Sequence, residues 1–119
     1  MKTKTNTGLP NRTEALAEPE DLSPKGALAW RTIQETLAAD LSDPGGCKTF
    51  YSPKEWKTRG ESYGTTSELV VVYDGGDVRS YFEWSGGNSG LIERMADALA
   101  AVGLYHEPCT GWYGAIYEL

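Results

Sequence analysis

Cysteine and histidine are nearly missing from this 119-residue chain: only Cys47, Cys109 and His106 are present. Two thiols cannot form the disulfide framework of a small secreted domain, so a reducing, cytoplasmic setting is expected. Long apolar runs are missing too. None reaches the roughly 18 residues a bilayer span needs, and no membrane attachment is expected. Met1-Lys2-Thr3-Lys4-Thr5 carries charge with no apolar stretch behind it, which argues against a secretory signal.

Positive charge is scarce in the second half. Residues 1–60 hold nine Lys/Arg against eight Asp/Glu, a net of +1. Residues 61–119 hold only Arg79 and Arg94 against nine carboxylates, a net of −7. Such a domain repels nucleic acid and attracts basic surfaces, although acidic surfaces also serve plain solubility.

What is present suits one globular unit. Apolar residues make up 39% and charged residues 24%, and the 14 glycines imply many tight turns. Residues 1–21, rich in Thr, Asn, Glu and Lys, read as a flexible tail, and residues 22–119 as a single α+β domain. Ser23 caps a helix with Pro24 in its first position. Trp30, Ile33, Leu37 and Leu41 mark its apolar face, and Asp43-Pro44-Gly45-Gly46 stops it. Ser52-Pro53-Lys54-Glu55 opens a single helical turn carrying Trp56.

Glu68 to Tyr73 is rich in β-branched residues and reads as a strand. Asp74-Gly75-Gly76-Asp77 has turn chemistry, and Val78 to Trp84 reads as the returning strand of a hairpin. In that register Phe82 and Trp84 point inward, while Arg79, Tyr81 and Glu83 point outward. Leu91, Ile92, Met95, Leu99 and Val102 give a second helix its buried face, with Gly103 beyond its end. Leu104 to Glu107 and Trp112 to Leu119 form a second strand pair. The expected order is α–β–β–α–β–β, an antiparallel sheet of about four strands with helices packed on one face.

Chemistry-bearing patterns are sparse. His106-x-x-Cys109 has a ligand spacing, and Cys47, with Glu107 or Asp43, could complete a zinc site. The same pair could serve as thiol and base. No second Cys-x-x-Cys pair supports a metal, and a turn cysteine beside a strand histidine is the plainer reading. Gly86-Gly87-Asn88-Ser89-Gly90 lies where a helix N-terminus could hold an anion. It lacks a P-loop lysine, and a tight connection accounts for the glycines. Lys48, Lys54, Lys57 and Arg59 interleave with Phe50, Tyr51 and Trp56, a composition suited to single-stranded nucleic acid. Internal charge balance against the acidic half is the favoured account. No catalytic residue, cofactor or metal is expected.

Aromatic rings are the most informative feature. Four tryptophans and seven tyrosines exceed what so small a core can bury. Alternation sets Tyr113 and Tyr117 against Trp112 and Ile116, so outward-facing tyrosines stand among carboxylates. The alternative is a second core hidden under other elements.

Glu55-Trp56-Lys57-Thr58-Arg59-Gly60-Glu61-Ser62-Tyr63-Gly64, Leu69-Val70-Val71-Val72-Tyr73-Asp74-Gly75-Gly76-Asp77 and Pro108-Cys109-Thr110-Gly111-Trp112-Tyr113-Gly114-Ala115-Ile116-Tyr117 resemble segments of small uncharacterised acidic proteins of phages and plasmids. That resemblance implies an accessory, anti-defence role of the anti-CRISPR or antirestriction kind. The expected function is therefore non-catalytic binding to a basic surface on a nucleic-acid-binding protein, with no direct nucleic-acid contact. Tyr81, Glu83, Tyr113, Tyr117, Asp74 and Asp77 are the candidate partner-binding residues. A cysteine- or zinc-dependent enzyme built on His106 and Cys109, or an assembly protein that self-associates through a sheet edge, are the alternatives. The oligomeric state stays open.

Overall fold

A computed structural model describes residues 15–37, 48–84 and 89–119. Helix α1 spans Pro24–Thr36. It is followed by strand β1 (Phe50–Tyr51), helix α2 (Pro53–Thr58) and strand β2 (Leu69–Val72). A 3-10 turn at Asp77–Tyr81, helix α3 (Ser89–Ala100) and strands β3 (Leu104–Pro108) and β4 (Tyr113–Glu118) complete the chain. The four strands form one antiparallel sheet in the order β1-β2-β4-β3, so the fold is α+β as expected.

Local chemistry explains the helices. The Ser23 side chain accepts the Gly26 N–H at 3.0 Å, and its hydroxyl donates to Glu68 at 2.6 Å, which fixes the start of α1 against the approach to β2. Gly26, Ala29, Thr32 and Ile33 form the buried face. Trp30 lies at its flank, where its Nε1 donates to the Leu16 carbonyl at 2.9 Å. The expected stop at Asp43–Gly46, and Leu41, lie outside the described residues; α1 ends at Leu37, whose backbone is extended. Ser52 and Glu55 form a reciprocal capping box at α2, as their spacing implied. In α3, Ile92, Met95 and Leu99 are buried, whereas Val102 is exposed, contrary to its expected place on the inner face.

The hairpin expected at Glu68–Trp84 is absent, and the reason is competition for β2. Its partners are β1 on one side and β4 on the other, so no edge remains for residues 78–84. Gly75 and Gly76 do turn the chain with positive φ, at 94° and 78°. Beyond them it coils. Val78, Tyr81 and Phe82, spaced by three and one, then become buried together. The fourth strand is Phe50–Tyr51 instead, within a stretch whose sequence gave no clear strand pattern.

All four residues of β2 are buried because both faces of the sheet are covered. On one face Leu69 and Val71 join Phe50 and Ile116 beneath α1 and α3, with Ile33, Met95 and Leu99 in the same core. On the other, Val70 and Val72 pack with Tyr113 and the fully buried Trp56 of α2. α1 and α3 thus share a face as expected, while α2 builds a second, aromatic core on the opposite one. Tyr51 and Tyr113 each stand 4.8 Å from the Trp56 ring, and Trp112 stands 6.0 Å from it.

The packed domain begins earlier than Leu22. Ala15 and Leu16 are buried, and Ala15 accepts the Thr49 N–H at 3.0 Å. Residues 15–21 therefore belong to the domain and not to a tail; residues 1–14 lie outside the described set. Among the described residues, no helix is long and apolar enough to cross a membrane.

Gly26 offers a test of the α1–β2 approach. Alanine normally favours a helix over glycine by up to about 1 kcal/mol. Here its methyl would overlap the Glu68 carbonyl and lie 3.2 Å from Leu22. That carbonyl cannot easily yield, because the Glu68 N–H is bonded to Ile116 at 2.8 Å. Overpacking costs of ~1–3 kcal/mol then outweigh the helix gain. Gly26→Ala is expected to lower stability by about 1–2 kcal/mol in urea denaturation, and a stabilised variant would contradict this packing.

Candidate functional site

His106 and Cys109 do not form a site together. His106 pairs across the sheet with Ile116 and lies on the α1/α3 face, 4.9 Å from the Phe82 ring. Its Nε2 is 3.2 Å from the Tyr73 hydroxyl. Cys109 packs on the other face, beside the Trp56 cluster, with its thiol 3.8 Å from the Glu107 carbonyl. Burial, and secondarily the Glu107 charge, push the thiol pKa up, the opposite of what an activated nucleophile needs. Among the described residues no cluster of three His, Cys, Asp or Glu could hold a metal. Cys47, Asp43 and the Gly86–Asn88 part of the anion loop lie outside the described residues.

Gly114 makes the seat of His106 possible. A Cβ there would overlap the imidazole and lie 2.8 Å from the Glu107 carbonyl. Burial lowers the His106 pKa to about 4 and holds the Tyr73 phenol well above its usual value. Phe82 and Tyr73 stack nearly parallel alongside, 5.5 Å apart. This is a neutral histidine built into a core.

The basic, aromatic stretch before β2 is also largely engaged internally. Lys48 pairs with Glu55 at 2.6 Å and lies over the Tyr51 ring. Arg59 stacks 4.6 Å over Trp56, also lies over Tyr51, and reaches Glu61 at 3.5 Å. Two of the four cations that suggested single-stranded nucleic acid are thus held against this protein's own rings and carboxylates.

The six residues expected to bind a partner are dispersed. Tyr81 is 3% exposed and Tyr113 1%, so neither stands outward. Tyr81 is buried because the 3-10 turn replaces the alternation of a strand. Tyr113 does lie on the face shared with Tyr117, but Trp56 covers that end, and its hydroxyl donates to the Tyr63 carbonyl at 3.2 Å. Glu83 faces Arg79 at 3.7 Å in a partly buried pair. Asp74 is exposed beyond the β2 end that pairs with Tyr113, and Asp77 opens the 3-10 turn. Tyr117 lies toward the other end of the sheet, next to the Ile116 that pairs with Leu69.

Around Tyr117 a different group assembles. Tyr105 is its cross-strand partner, and the two rings stack 5.8 Å apart. Glu107 projects from the same face of β3 two residues on. Thr66 hydrogen-bonds Tyr117, and Tyr63, 62% exposed, belongs to the same connecting segment. That segment rests on the sheet where Gly64 approaches Ala115. Burial raises the Tyr117 pKa, opposed by the Thr66 hydrogen bond and reinforced by nearby groups including Glu107. The result is an aromatic and acidic surface on the outer hairpin, in which Tyr105, Glu107 and Tyr63 are exposed and Tyr117 is half-buried. Sequence reasoning missed Tyr105 and Tyr63 as members. Pairing Tyr105 with Tyr117 needs the register of β3 on β4, and Tyr63 sits in a loop without periodicity.

The neutral state of His106 has a pH signature. Its folded pKa of about 4 lies below the ordinary 6.5. Above pH 6.5 both folded and unfolded chains carry a neutral ring and the residue has no pH effect. Between 6.5 and 4 the unfolded chain takes up the proton first, so stability falls as pH falls; below 4 the loss levels off. The full loss is about 3 kcal/mol. Denaturation midpoints across this window should fall more steeply for the native protein than for His106→Gln. Parallel profiles would show that the ring is not held neutral.

No protein-family model matches the chain, and neither a curated protein nor a solved structure was found to be similar to it.

Proposed function

We propose that this chain is a non-catalytic binding protein whose acidic, tyrosine-bearing hairpin face docks on a basic surface of a nucleic-acid-binding protein. The observation that carries the reading is the stacked Tyr105–Tyr117 pair on the outer hairpin, Tyr105 exposed and Tyr117 half-buried, beside the exposed Glu107. Tyrosine contributes large contact area at low entropic cost, and its ring accepts an arginine or lysine over its face. The excess of carboxylates in residues 61–119 supplies the long-range attraction.

The distribution of cations agrees. Lys48 and Arg59 engage their own neighbours, and Lys25, 3.3 Å from Glu118, pairs with a β4 carboxylate on the α1 side and not on the Tyr117 side, so none of these three pairs involves Glu107. A protein occupying the nucleic-acid site of its target would act as an inhibitor, in keeping with the anti-defence role implied by the phage and plasmid resemblance. The separation of His106 from Cys109 removes the support for the enzymatic alternative that rested on that pair.

Affinity capture of the tagged chain from nuclease-treated bacterial lysate, washed across a salt series, tests the reading. A basic nucleic-acid-binding partner should be retained at low salt and lost steeply as salt rises. Tyr117→Ala and Glu107→Gln should each weaken its retention at least tenfold without lowering the melting temperature by more than a few degrees. Recovery of the chain alone, or retention indifferent to salt and to both substitutions, would overturn the proposal.

A further inference from the structure

On the other side of β3 lies a cleft of about 390 Å³ between the strand and α3, within the range of ligand-holding clefts. Met95, Phe82 and His106 contribute buried or half-buried surface to it, and Ala96 and Ala100 of α3 keep its helix side low. Of the five large apolar side chains exposed among the described residues, Trp84 and Leu119, at 60% and 71%, line this one cleft, and Tyr105 of the edge strand borders it while its ring stacks on Tyr117. Scattered exposed apolar groups are ordinary; a gathering of them along one groove marks a place for a partner.

The strand beside the cleft is an open edge. β3 ends the sheet. Cys109 donates across to Tyr113, and Leu119 donates to Gly103. Bonded pairs alternate along an antiparallel ladder, so the backbone groups of Leu104 and His106 point away from β4. Among the described residues none bonds to them from that side. An extended segment laid there gains main-chain hydrogen bonds and drops every second side chain toward the cleft.

Charge defines the occupant further. Among the described residues, Asp97 is the one formally charged residue lining the cleft, and no lysine or arginine lines it. We propose that this cleft binds an extended peptide segment of a partner protein, added as a further strand along β3, with apolar side chains at alternate positions and a lysine or arginine opposite Asp97. The cleft lies across the sheet from Tyr117 and Glu107, and Tyr105 on the edge strand borders both surfaces, so Ala100 and Asp97 on one side and Tyr117 and Glu107 on the other are the positions that separate them.

The test pans a library of random twelve-residue peptides against the full chain. Enriched sequences should alternate apolar residues and carry Lys or Arg. For the strongest synthetic peptide, Ala100→Trp should weaken binding at least tenfold with an unchanged circular dichroism spectrum, and Asp97→Asn about threefold or more. N-methylation at alternate, edge-facing residues should weaken it tenfold, and at the intervening residues less than threefold. Tyr117→Ala should change it less than twofold. The proposal is overturned by an absence of enrichment, by binding indifferent to Ala100→Trp or to N-methylation, or by winners lost on Tyr117→Ala alone. It is equally overturned if light scattering shows a second copy of the chain filling the cleft, as a dimer abolished by Ala100→Trp.

Discussion

The structure depends on β2 being enclosed on every side. Leu69–Val72 has a strand on each edge and a core on each face, so four consecutive apolar residues are all buried. A strand bounded in this way dictates what its neighbours can be. The segment after Gly76 cannot pair with it and coils into a 3-10 turn. A distant two-residue strand from before α2 takes the free edge, and the chain end supplies the other partner. Apolar burial on both faces is worth ~25 cal/mol per Å² removed from water, and the central strand collects it twice.

The two faces use different chemistry for the same purpose. The α1/α3 side is a mixed core, mostly aliphatic but holding Phe50, Tyr73, Tyr81 and Phe82, with His106 bonded to Tyr73 at its margin. The α2 side is built from rings around Trp56, with Arg59 stacked outside them. So short a helix would not persist alone; its capping box and its tryptophan attach it to the sheet. The two cores together absorb most of the surplus of aromatic residues, and the second also consumes part of the surface that the sequence offered as an interface.

How far the sequence could be read follows from the range of the interactions involved. The starts of α1 and α2 were legible because caps are local: a serine, a proline and, for α2, a glutamate within four residues. α3 was legible from its period. The returning strand at Val78–Trp84 was misread because its residues alternate well enough, and only the occupancy of β2 by distant partners excludes it. Tyr81 and Tyr113 were misplaced for two reasons: one by that error, the other because alternation gives a side and not its cover. Tyr117 stood where alternation put it. Its companion Tyr105 becomes visible only once the β3–β4 register is known.

The two edges of the sheet differ in kind. β1 is two residues long, and the Thr49 N–H beside it is already bonded to Ala15, whereas β3 presents five residues. Short or covered edges are how β proteins avoid templating one another. A sheet with one usable edge can join another only once, so edge-to-edge association closes at a two-fold pair and cannot propagate into a filament. That asymmetry lets an acidic, tyrosine-rich protein keep an exposed strand without the hazard of fibre growth.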